Sequence, residues 1–128
     1  MSYYFAKTVD LPFAEAVARA TEQLQERGFG ILTEIDVRAT LRKKLDVEFR
    51  PYTILGACNP SFAYRALECE ERIGAMLPCN VIVQDKGAEG VEVAAVDPVA
   101  SMQAIANPEL ADVADQVREL LRAAIDAL

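Results

Sequence analysis

The chemistry open to this chain is narrowed first by an absence. Its 128 residues contain no histidine, which excludes a Ser-His-Asp triad, a Cys-His dyad and any imidazole-ligated metal. The reactive side chains left in an unusual arrangement are cysteines. Cys58-Asn59-Pro60 and Pro78-Cys79-Asn80 are near-mirror tripeptides; Cys58 closes one predicted strand and Cys79 opens the next. If the two strands pair antiparallel, the thiols are neighbours. If they run parallel, a six-residue strand holds them roughly 20 Å apart. Cys58 also precedes a predicted helix start at Asn59-Pro60, where backbone N–H groups and the helix dipole stabilise a thiolate. That makes Cys58 and Cys79 the candidate catalytic pair for thiol chemistry. The plain alternative is a buried, inert pair, because free cysteine often packs as a small hydrophobe. Cys69 falls mid-helix in an acidic run and reads as structural. No Cys-x-x-Cys occurs, so neither a metal site nor a cofactor is expected.

A second candidate is electrostatic. Arg38, Arg42, Lys43, Lys44 and Arg50 are five of the thirteen bases, gathered within thirteen residues of a chain with net charge −7. Arg38 and Arg42 lie one helical turn apart and can act together on a phosphate, a carboxylate or a sulfur oxyanion. The competing reading is a solvated helix face. Tyr52 shares the two-residue period of Cys58 and supplies a polar-tipped aromatic, and the amides of Asn59 and Asn80 supply donors. Tyr52, Asn59, Asn80, Arg38, Arg42 and Arg50 are thus the candidate ligand-binding residues, centred on the Cys58–Asn59 turn. The acidic balance argues against a nucleic-acid partner, which requires phosphates to be neutralised by Lys and Arg.

The elements that must position these residues follow from periodicity. Residues 3–9 read as a strand. A helix follows from an Asp10 cap, with Pro12 in its first turn and Phe13, Val17, Ala20 and Leu24 on one face, closed by Gly28 and Gly30. Ile31, Thr33, Ile35 and Val37 alternate as one face of a half-buried strand. Asp36 caps a short helix with Val37, Leu41 and Leu45 on one side and the bases on the other. Residues 50–58 form a third strand. The helix from Asn59-Pro60 carries Phe62, Ala63, Ala66 and Leu67 inward and stops near Gly74. Residues 81–85 and 91–96 form a hairpin across a five-residue loop. Asp97-Pro98 and Asn107-Pro108 open a short and a long helix. The long one bears a stripe of Leu110, Val113, Val117, Leu121, Ala124 and Leu128, with Arg118 and Arg122 placed to favour its C-terminal dipole. A hairpin with helices on one sheet face predicts a single α+β domain over residues 1–128, with a folded surface near ~6,700 Å².

No apolar stretch is long enough to span a membrane, and the N-terminus lacks the pattern of a signal peptide, so a cytoplasmic protein with no membrane partner is expected. In that compartment three free thiols are the default.

At Arg50-Pro51-Tyr52-Thr53-Ile54-Leu55-Gly56-Ala57-Cys58-Asn59-Pro60, followed by Ala66-Leu67, Ile73-Gly74 and Leu77-Pro78-Cys79-Asn80-Val81, the chain resembles a known family. It is the small domain catalogued as domain of unknown function 302. Lys44-Leu45-Asp46-Val47 and Asp97-Pro98 extend the resemblance across nearly the whole chain. The resemblance implies a TATA-binding-protein-like fold, a curved, mainly antiparallel five-stranded sheet in the order β-α-β4-α, and a homodimer. It includes the cysteines at 58 and 79 but not Cys69, favours the antiparallel pairing that makes those two neighbours, and carries no reaction. Three functions follow as expectations: a small-molecule, possibly anion-binding module at the Cys58–Asn59 turn; a thiol redox or sulfur-handling protein using Cys58 with Cys79; or a protein-interaction domain.

Overall fold

In the computed structural model, which describes residues 2–128, the strands are β1 (Tyr4–Val9), β2 (Gly30–Asp36), β3 (Tyr52–Cys58), β4 (Cys79–Asp85) and β5 (Val91–Val96). They form one antiparallel sheet in the spatial order β1-β5-β4-β3-β2. Helices α1 (Phe13–Glu26), α2 (Val37–Leu45), α3 (Pro60–Cys69), α4 (Pro98–Ser101) and α5 (Pro108–Asp126) connect and follow them. From β2 to β5 successive strands are neighbours, joined by a hairpin or a short helical excursion, whereas α1 carries the chain across the sheet from one edge, β1, to the other, β2.

Strand residues alternate between the two faces of a sheet. Leu55, Val81, Val83, Val93 and Ala95 point to one face and are fully buried. Against them lie Ala16, Ala20 and Leu24 of α1 and Leu110, Val113, Leu121 and Ala124 of α5, at the 3.6-residue spacing the sequence shows. Burying each large aliphatic side chain contributes about 1.5–3 kcal/mol. The opposite face, carried by Tyr52, Ile54, Gly56, Asn80, Ile82, Gln84, Glu92 and Ala94, is left uncovered by these helices.

Three caps form as read. Asp36 accepts from the Ala39 N–H at 2.8 Å, Asp97 from Val99 at 3.0 Å, and Asn107 from Glu109 at 3.1 Å. Asp10 does not cap α1. Pro12 occupies that place in an extended conformation, without a side-chain cap, because a residue before proline is held out of the helical region and the helix starts later. The carbonyls at the C-terminal end of α5 are met by neither Arg118 nor Arg122. Lys7 donates to the carbonyls of Asp126 and Leu128 at 3.1 and 2.6 Å, and Arg19 to Ala127 at 3.4 Å. Donors so distant in sequence leave no local signal.

The largest departure concerns β2 and α2. A register shift between Ile31 and Thr33 breaks the single face expected for β2. Ile31 pairs with Ala57 and packs against the core, whereas Thr33 and Ile35 pair with Gly56 and Ile54 on the uncovered face. Nothing in α2 is buried, so its Val37–Leu41–Leu45 stripe does not reach the core. Leu32 and Leu45 are 65% and 66% exposed. Leu67 of α3, expected inward, is also exposed. Gly74 does not end α3; it sits in a separate 3-10 turn, Ile73–Met76, that buries Ile73. The total surface, 7436 Å², exceeds the ~6,700 Å² of a typical monomer this size, in keeping with the exposure of the β2–α2 arm.

Candidate functional site

The proposed site residues fall at two ends of β3. Cys58 and Asn59 lie at one end, with Cys79 facing Ala57 across the ladder. Tyr52 begins the other end, with Arg50 just before it and the arm carrying Arg38 and Arg42 beyond. Six residue steps of ~3.4 Å separate these ends by about 20 Å. The thiol turn and the basic cluster are therefore not one site.

At the thiol end, antiparallel pairing makes Cys58 and Cys79 neighbours, as expected, and all three cysteines are free. Cys79 is buried on the helix side. Burial, and then the nearby Cys58, push its thiol up to about 11 from an ordinary 9.0. Asn59 donates its amide to the Arg27 carbonyl at 3.3 Å, against Gly28, whose φ of +87° serves the turn into β2. The amide thus ties the α1–β2 turn to the start of α3. The space beneath is a cavity of about 30 Å³ lined by Phe29, Cys58, Phe62, Cys79, Met102 and Leu110, among others. It holds about one water-sized probe and offers almost no polar partner.

The raised Cys79 value has a measurable consequence. Below pH 9 the thiol is neutral in the folded and unfolded chain alike. As pH rises from about 9 to 11, the unfolded thiol ionises while the folded one keeps its proton, so stability falls across that window, by about 2–3 kcal/mol. Urea unfolding at pH 8, 9.5 and 11 should show a steeper loss of stability in the wild type than in Cys79→Ala, which keeps only the slope due to other groups such as Tyr52. Equal slopes in the two proteins would contradict it.

At the other end, Arg42 faces Asp46 and Glu48 in solvent, pairs that add little stability, and Arg38 is exposed. These two behave as a solvated helix face. Arg50 differs. Its Nε donates to Gln84 Oε1 at 2.9 Å, and its guanidinium lies 4.5 Å from the centre of the Phe49 ring. Gln84 Nε2 donates in turn to Glu92 Oε1 at 3.1 Å, and Lys86 approaches Glu92 Oε2 at 3.5 Å. Tyr52 stands opposite Gln84. Burial pushes its phenol above the ordinary 10.0, opposed by Arg50 and reinforced by Tyr3 and Glu92.

Register arranges the uncovered face in rows. Tyr52–Gln84–Glu92–Thr8 is polar. One pleat along, Ile35–Ile54–Ile82–Ala94–Ala6 is apolar and crosses all five strands. Beyond it lie Gly56 and Asn80. A cleft of about 440 Å³ opens over this surface, walled by Tyr3, Tyr4 and Tyr52 and floored by Ile82 and Ala94, with Asn80, Gln84 and Glu92 at its polar positions. Of the candidate binding residues, Tyr52 and Asn80 line it and Arg50 reaches it through Gln84. Gln84 and Glu92 went unread in the sequence. The sequence holds only a partial signal for them: each is a polar residue at an alternate position of a strand whose other face is apolar, and register alone joins them.

These features define a small α+β domain with a half-covered antiparallel sheet and a mixed polar–apolar cleft on the free face. The family model described as domain of unknown function DUF302 matches residues 5–128, and the chain belongs to that family. It is similar to a crystal structure of an uncharacterized conserved DUF302 protein from Bacillus stearothermophilus, at 27% identity and a TM-score of 0.90 over 98% of both chains. Among curated proteins, none matches the sequence. Among the described residues, no helix is long and apolar enough to cross a membrane.

Proposed function

We propose that this domain is a small-molecule binding module whose ligand lies on the free sheet face rather than at the Cys58–Asn59 turn. One observation carries the reading. The cleft of about 440 Å³ has the size of a ligand pocket and sets a few polar groups around an apolar floor on rigid strands, whereas the space under Cys58 is about 30 Å³ and apolar. The thiol reading, with Cys58 as nucleophile and Cys79 resolving, draws less support, because Cys79 is buried and holds its proton to about pH 11. The test is an amide NMR screen of small carboxylates, amines and neutral aromatics on the intact chain. Shifts should gather on Ile82, Gln84 and Ala94, disappear in Asn80→Trp, which fills the cleft from an exposed position, and persist in Cys58→Ser. Shifts confined to the Cys58–Asn59 turn, or none, would sink the reading.

For the β2–α2 arm we propose a second copy of the chain as partner. Leu32, Ile35, Leu45 and Val47 are exposed there together, beside the free edge of β2. Residues 37–50 hold five bases and two acids, a net +3, against eight bases and eighteen acids, a net −10, in the rest. The arm of one copy thus complements the body of another in charge. Sedimentation equilibrium should find a dimer that Leu45→Glu dissociates; a monomeric wild type at 100 µM (about the concentration of an NMR sample) overturns it.

A further inference from the structure

We infer that the cleft selects a small monoanion, a carboxylate attached to a flat apolar body, with the carboxylate at the Arg50–Tyr52 end and the body over Ile82 and Ala94. This rests on the binding reading above and assigns the class of ligand. The reasoning is a count of donors and acceptors. In the relay at the polar row, the side-chain oxygens of Gln84 and Glu92 each already face a donor: Gln84 Oε1 receives Arg50 Nε, Glu92 Oε1 receives Gln84 Nε2, and Glu92 Oε2 faces Lys86. At the Arg50–Tyr52 end, the groups left without a partner among the described residues can donate. They are the terminal nitrogens of Arg50 and the Tyr52 hydroxyl. A phenol that burial holds above its ordinary pKa keeps its proton at neutral pH. A site whose unused groups donate calls for a ligand that accepts.

Charge agrees with that count. Asp85 and Glu89 share the adjoining hollow with Arg50 and Lys86, but Glu92 is the one carboxylate among the residues lining the cleft, and Lys86 faces it, so a cationic ligand would find that carboxylate occupied. The relay also fixes the guanidinium: Nε is held by Gln84 and one face by Phe49, which leaves the terminal nitrogens as the free edge for charge-assisted hydrogen bonds. The apolar row lies two residues along each strand from the polar row, about 7 Å. That spacing suits an acid group one short linker from a ring. The Tyr3–Tyr4 pair, edge-to-face at 5.1 Å, walls the apolar end. Asn80 supplies an amide at the far side of the apolar row.

The probes are three molecules of one shape and different charge: trans-cinnamate, cinnamyl alcohol and cinnamylamine, titrated into the intact chain at pH 7 with the side-chain amide signals of Gln84 and Asn80 followed by NMR. Cinnamate should bind at least tenfold more tightly than the alcohol, and the amine more weakly than either. Arg50→Gln, an exposed substitution, should weaken cinnamate about tenfold or more and leave the alcohol unchanged. An amine that binds as well as the acid, or cinnamate unaffected by Arg50→Gln, overturns the anion assignment while the cleft reading stands. Inorganic phosphate shifting the same signals as strongly as cinnamate overturns the apolar-body assignment. No shift from any of the three would take down the cleft reading itself.

Discussion

Asp97→Ala is expected to lower the unfolding free energy by about 2–4 kcal/mol, because one side chain closes two junctions and its backbone a third. Asp97 ends β5 and is buried. Its Oδ1 accepts from the Val99 N–H at 3.0 Å and starts α4, while Oδ2 accepts from Arg118 Nε of α5 at 3.1 Å. Its own N–H reaches the Tyr3 carbonyl at 2.7 Å, just before β1. The backbone bond survives substitution; the cap and the ion pair do not. Arg118 retains partial exposure and its place 5.5 Å from the Phe5 ring, so the stranded charge costs less than a fully buried one would. Asp97→Asn keeps a capping oxygen and loses the charge, so it should fall between wild type and alanine. Urea denaturation ranks the three proteins. A cost below about 1 kcal/mol for alanine would show that the junctions hold without the carboxylate.

Gly56→Ala should cost about 1–3 kcal/mol, and Gly56→Val more. A β-carbon at Gly56 would lie 2.3 Å from Thr33 Oγ1 and 2.8 Å from Pro78 Cγ. The threonine is on an exposed edge strand and can turn its hydroxyl away, but the proline ring has nowhere to rotate. Thr33→Ala in the same chain should therefore recover part of the loss and leave the part due to Pro78. Thermal unfolding of the single and double variants measures this. Full recovery would place the whole conflict on Thr33, and no loss in Gly56→Ala would mean that the ring shifts freely.

Legibility in the sequence followed the range of the physics involved. The caps at Asp36, Asp97 and Asn107 were readable because a cap is decided within four residues, and β5 matched its predicted limits because two glycine-bearing and proline-bearing boundaries enclose it. The Asp10 cap failed on an equally local rule, the restriction that Pro12 places on the residue before it. The bulge at Ile31–Thr33 depends on how β2 meets Ala57 and Gly56, which no local pattern records. The stripe on α2 was read correctly as amphipathic. Periodicity states that a face is apolar but not what covers it, and here the chain's own core does not. The candidate site was half legible. Tyr52 and Asn80 line one cleft and Arg50 reaches it through Gln84. Cys58, which shares a strand face with Tyr52 in the sequence, and Asn59, which starts the next helix, lie about 20 Å along β3 from the Arg50–Tyr52 end. Gln84 and Glu92 gain meaning only through register, which joins them to Arg50 and Lys86 across three strands and a turn.

The tyrosines of the cleft make it spectroscopically distinct. The chain has four tyrosines and no tryptophan, and Tyr3, Tyr4 and Tyr52 wall the cleft while Tyr64 lies on the exposed side of α3. With no indole to drain their excitation, the emission near 300 nm belongs to phenols alone. In Tyr64→Phe every emitting group would stand around one cleft, and the unlabelled protein would report directly on whatever enters it.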